Sequence, residues 1–191
     1  MFIDYISLML LNMTAGLVIL ACFFWKGYGS PTEKAWAPGL AIVGLVATLP
    51  GLHMVFSWPI PKLAQVNLTF ANVAFGETSV MLGVLFLGAA MAVAKGWSLT
   101  SVAIYAAVAG AAAIVIGVRI ALLGITKAPL MTGAGFVVTG AAGLMVLALV
   151  LAPQARALRL LAGLLMIVGA AIWALNAFMA YWDHLAQFSR L

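Results

Sequence analysis

Residues 98–126 read SLTSVAIYAAVAGAAAIVIGVRIALLGIT. Arg119 is the one charged side chain in the run, and there is no proline. A helix rises 1.5 Å per residue, so roughly 20 such residues cross the hydrocarbon core of a bilayer. In lipid every backbone N–H and C=O must be satisfied within the fold, and a helix does this inside a single segment. The stretch is therefore a transmembrane helix. Working outward, five more runs of the same kind follow from hydropathy. The six spans are 3–25, 36–57, 72–94, 98–126, 129–151 and 157–182. The expected fold is all-α: a six-transmembrane-helix bundle forming one integral membrane domain over residues 1–191.

Composition agrees. The chain is 66% hydrophobic and 7% charged, with a mean hydropathy of +1.23. Soluble domains are about 45–50% apolar and 25% charged, so a water-solvated globule is excluded. Met1-Phe2-Ile3-Asp4 has no basic n-region and no small-residue cleavage site behind it, so it reads as a retained first helix. Cys22 is the only cysteine and lies in an apolar run, where it acts as a small hydrophobe. The ten methionines are scattered and read as core filler. A net charge of +5 spread over short loops carries topology, not nucleic-acid binding.

Lys26, Lys34, Lys95, Arg156 and Arg159 fall at the loops after spans one, three and five, against Lys62, Lys127 and Arg190 on the other side. Positive-inside counting places the odd loops in the cytoplasm and both termini outside. The longest loop, from Trp58 to Ala71, begins with Pro59 and Pro61, which stop the second helix. Small residues form stripes: Ala106, Gly110, Ala113 and Gly117 in span four, Gly133, Ala134, Gly140, Ala141 and Gly143 in span five. Such stripes let helices approach closely in lipid, and packing is their expected role.

Ionisable side chains inside a span are costly and are candidates for function or for pairing. Counting 1.5 Å per residue from the outer ends, His53 lies roughly 6 Å deep, Glu77 about 7 Å, Asn176 about 9 Å and Arg119 about 10 Å. Asn12 lies somewhat deeper, while Asn72, Asp183 and His184 mark the rim. Five helices thus place polar groups at one depth on one side, which predicts an outward-facing polar pocket with the Trp58–Ala71 loop as its lid. The structural alternatives are a Glu77–Arg119 ion pair between spans three and four, a satisfied His53 beside the Pro50-Gly51 kink, and a solvated His184. Asn176 and His184 share one helical face and are expected to look into the same space. No Ser-His-Asp set and no His-Glu-x-x-His run can be read from the spacing, so soluble hydrolase chemistry is not expected.

Gly51-Leu52-His53-Met54, Trp58-Pro59-Ile60-Pro61 and Asn72-Val73-Ala74-Phe75-Gly76-Glu77 resemble the signature of a family of predicted prokaryotic integral membrane proteins catalogued only as a domain of unknown function. The resemblance implies a multi-spanning bundle in a prokaryotic cytoplasmic membrane and brings no activity with it.

Three functional readings follow from the residues. In the first, the chain is an accessory or redox-associated subunit holding haem b or a quinone. His53 and His184 would be the axial ligands, Arg119 would pair a propionate or polarise a quinone carbonyl, and Trp58, Phe75 and Trp173 would pack the ring. In the second it is a small-solute or ion transporter built as a three-plus-three inverted repeat. In the third it is a structural assembly subunit, alone or as a homo-oligomer, with the polar band as interhelical glue. A metal held by His53, Glu77, Asp183 and His184 is a further arrangement that the spacing permits.

Overall fold

The structure is a computed structural model that describes residues 4–57, 62–63, 66–67 and 69–189. Six helices long and apolar enough to cross a membrane make up the chain. They are α1 (Tyr5–Gly27), α2 (Glu33–Ser57), α3 (Thr69–Lys95), α4 (Thr100–Leu123), α5 (Pro129–Leu151) and α6 (Arg156–Phe188). The predicted spans are recovered to within a few residues. The largest difference is at the end of α6, which continues past Trp182. Hydropathy falls there because Asp183 and His184 are polar. The helix persists because both find partners, Lys127 and Asp4.

Local chemistry sets the ends. Asp4 caps α1 by accepting the Ser7 N–H at 3.1 Å. Pro129 opens α5 at its first position, where its missing N–H is not needed. Gly96 and Gly124 close α3 and α4 with φ of 71° and 65°, the left-handed conformation that a side chain would strain. Pro50 lies inside α2 without ending it. Two stretches are π-helical, Phe23–Gly27 at the end of α1 and Asn72–Glu77 near the start of α3. Between α2 and α3, Lys62–Leu63 (β1) pairs antiparallel with Val66–Asn67 (β2), the only strand pairing among the described residues.

The helices form a ring in the order α1, α2, α3, α4, α5, α6 and back to α1. Small residues decide how close each pair comes. A Cβ on Gly117 would lie 2.6 Å from the Gly133 carbonyl oxygen, and one on Gly133 would lie 2.6 Å from the Gly117 oxygen. Gly110 and Gly140 oppose each other in the same reciprocal way, so α4 and α5 touch backbone to backbone. Gly44, Gly51 and Gly83 bring α2 equally close to α3: a Cβ on Gly83 would meet the Thr48 nitrogen at 2.6 Å. The α3–α4 seam is the loosest in the ring. Asp4 and His184 meet, so both termini lie at one end of the bundle.

Candidate functional site

The polar band predicted at the terminal end divides into separate networks around the first turn of α1. On the α2 side, Tyr5 Oη lies 2.8 Å and Ser57 Oγ 3.0 Å from Nδ1 of His53. The Tyr5 and His53 rings sit 5.3 Å apart. Tyr5 donates to Nδ1 when the ring proton is on Nε2. His53 itself is exposed.

On the α6 side, His184 Nδ1 lies 2.6 Å from Asp4 Oδ2 and 3.2 Å from Ser7 Oγ. The fold therefore assembles a Ser-His-Asp group that the sequence spacing does not reveal. Its wiring is wrong for nucleophilic catalysis, because a relay needs the carboxylate on one ring nitrogen and the serine on the other. Here both meet Nδ1, and Ser7 is 0% exposed. The group ties the two ends of the chain together. Replacing Asp4 by alanine removes both the helix cap and the histidine contact, and we expect it to lower stability by about 1–2 kcal/mol. Asp4→Asn, which keeps the cap, should cost about half as much in a thermal unfolding comparison. No loss in Asp4→Asn would mean that the histidine contact contributes nothing, and equal losses in the two variants would mean the same of the cap.

A third network lies between α5 and α6. Thr132 Oγ1 bonds Asn176 Oδ1 at 3.2 Å, Asn176 Nδ2 donates to the Ile172 carbonyl at 2.9 Å, and Lys127 Nζ meets Asp183 at 3.1 Å. Asn176 thus reaches α5 while His184 reaches α1, and the two do not share a space. Asn12 is buried and donates to the Val43 carbonyl at 3.0 Å, an α1–α2 tie. Glu77 and Arg119 are both exposed, and no ion pair joins them. Asn72 Oδ1 is buried over Gly76 and has no hydrogen-bond partner among the described residues. Trp58 lies outside the described residues, as does half of the predicted lid. No group of three His, Cys, Asp or Glu side chains suited to a metal occurs among the described residues.

An apolar cavity lies elsewhere, inside the bundle. It is a narrow chamber of about 110 Å³ between α1, α3, α4 and α5, with Leu40 of α2 and Met166 of α6 also on its wall. Leu17, Phe24, Met81, Phe86, Ala109 and Phe136 represent its lining. Two lining side chains carry hydroxyls. Thr78 Oγ1 donates to the Ala74 carbonyl at 2.5 Å, and Thr139 Oγ1 accepts from Trp173 Nε1 at 2.8 Å. Trp173 is 1% exposed, and Phe136 stands edge-on to it at 5.1 Å. Neither histidine lines the chamber. An open crevice on the α3–α4 seam, lined by Val84, Gly88, Ser101, Val102 and Tyr105, shares Leu85 with the chamber wall.

Sequence reasoning singled out polar residues and so passed over this space. Its wall is made of the same Leu, Ala, Met and Phe that fill every helix, and nothing local distinguishes a side chain facing a void from one facing lipid. Tyr5, Ser7 and Ser57 were also missed, because only the fold shows which histidine each one meets.

Comparison with curated proteins and with solved structures finds no match. A family model does match, over residues 1–187. The chain is a multi-pass helical membrane protein and belongs to the family described as "Protein of unknown function (DUF981)".

Proposed function

We propose that the protein is an accessory membrane subunit that holds the apolar chain of a lipid-like molecule in its intramembrane chamber, with an isoprenoid quinone as the redox-active candidate. One observation carries the reading: the chamber wall is apolar, and of its two hydroxyls Thr78 donates to the Ala74 carbonyl and Thr139 accepts from Trp173. A polar solute would find at most one hydroxyl donor there, and most of its desolvation would go uncompensated. An alkyl or prenyl chain needs none. The loose α3–α4 seam, with its crevice sharing Leu85, offers a lateral way in from the hydrocarbon core. A head group would then rest outside the chamber, within reach of the polar groups of the terminal half. We place the protein in a prokaryotic cytoplasmic membrane with both termini outside.

The test is extraction of the purified protein after extensive detergent exchange, followed by mass spectrometry. The expected result is one class of prenyl or long-chain lipid retained near one per chain. Only bulk lipids in bulk proportion would overturn the proposal. The same sample decides the haem alternative, because a reduced-minus-oxidised haem band would put His53 and His184 in its place. Transport is the weaker reading, since the chamber offers a polar solute no path of ligands.

A further inference from the structure

At the end of the bundle away from the termini, a separate recess of about 400 Å³ lies between Trp25 of α1 and the first turn of α6. Its lining includes Gln154, Arg156, Arg159 and Leu160. Arg159 is held in place. Its Nε donates to the Pro153 carbonyl at 3.0 Å, its Nη1 to the Tyr28 carbonyl at 3.2 Å, and its Cζ lies 5.3 Å from the centre of the Tyr28 ring. None of these partners cancels its charge. The chain has four carboxylates, and the only one at this end is Glu33, which accepts the Gly29 N–H at 3.3 Å. Neither Arg156 nor Arg159 has an ion-pair partner among the described residues.

Burial pushes the Tyr28 phenol above its ordinary pKa, and Glu33 adds to the rise while Arg159 opposes it. The phenol therefore stays neutral and does not compensate Arg159. Ala155, which precedes α6, gives no side-chain cap, and the positive end of the helix dipole lies at this end of α6.

We propose that this recess is a binding site for a phosphate group, gripped by the pre-oriented guanidinium of Arg159 and by Arg156. An arginine fork matches a phosphate in shape as well as charge, and a positioned one loses less freedom on binding. Trp25 and Leu160 give the recess an apolar side at interfacial depth, which suits a phospholipid head group. A soluble phosphorylated compound presents the same chemistry, and the test separates the two. The inference does not depend on the chamber.

Reconstituted protein is compared for association with spin-labelled phosphatidylglycerol and phosphatidylcholine. In parallel, inorganic phosphate is titrated against the thermal midpoint of the detergent-solubilised protein. The expected result is a preference for phosphatidylglycerol that falls about fivefold in Arg156→Gln, the change for one cation at a membrane surface. Lys95→Gln, at the same end but outside the recess, should leave the preference intact. The Arg156 side chain makes no hydrogen bond or ion pair among the described residues, so its variant remains informative if Arg159→Lys fails to fold. Stabilisation by inorganic phosphate that depends on Arg156, without a lipid preference, would support the site with a soluble ligand. Equal losses in the Lys95 and Arg156 variants would reveal only diffuse surface attraction and overturn the proposal. So would the absence of any response to either anion.

Discussion

Gly140→Val should lower the stability of the folded bundle by about 3 kcal/mol, the upper end of the usual cost of overpacking. The reason lies in what the new side chain would meet. A Cβ at Gly140 lands on the Gly110 carbonyl oxygen, and one at Gly110 lands on the Gly140 oxygen. A flexible side chain can rotate away from such a clash, but backbone cannot. One turn or two away along the seam the contacts repeat. A Cβ on either Gly117 or Gly133 would lie 2.6 Å from the other's carbonyl oxygen, and one on Gly143 would lie 2.8 Å from the Ala106 oxygen. Relief at one point therefore requires the whole α4–α5 pair to separate. Lipid chains are as apolar as the side chains, so no hydrophobic gain offsets the lost contact. Denaturation in mixed micelles measures the effect. Gly88→Ala is the control, because its new methyl would find only Val102 Cγ2 at 3.7 Å. It should be neutral or slightly stabilising, since alanine favours the helix. A Gly140 variant as stable as the Gly88 control would show that α4 and α5 do not pack in this way.

The second large effect concerns the chamber. Ala109→Phe places a ring in the space between α4 and its neighbours, where Ala109 lines the wall and is only partly buried. If an apolar chain occupies that space, its retention through purification should fall about tenfold or more, equivalent to at least about 1.4 kcal/mol. The thermal midpoint should hold or rise, because the ring fills a void instead of displacing backbone. Ala89→Phe, entering from α3, should act in the same direction. Undiminished lipid retention in both variants would mean that the chain binds elsewhere, and the proposed function would fail with it. Gly140→Val and Ala109→Phe also separate cause from consequence. The first is expected to lose ligand because the wall comes apart, and the second because the space is gone.

The polar residues show how far one dimension of information reaches. Depth along a helix is a count of residues, and His53, Asn176 and His184 do end in polar networks at the terminal end of the bundle. Direction around the helix is set by rotation of the whole segment against its neighbours. Glu77 and Arg119 share a depth by counting, yet both are exposed and no ion pair joins them. Asn176 and His184 share a helical face, yet α5 takes the first and α1 the second. Tyr5 and Ser7 lie two residues apart on α1 and serve different histidines on different sides of it.

By itself, then, the sequence determined the six helices, their lengths and the small-residue stripes through which α4 meets α5. Those properties are local: a segment is long and apolar enough to span a bilayer, or it is not, and its backbone bonds close within it. Only the tertiary structure decided that the ring is loosest between α3 and α4, that an apolar chamber lies behind that seam, and that two arginines share a recess beside Trp25. These depend on how six similar surfaces rotate and approach one another. Such choices are made by van der Waals fit summed over whole helices, and no single residue in the chain announces them.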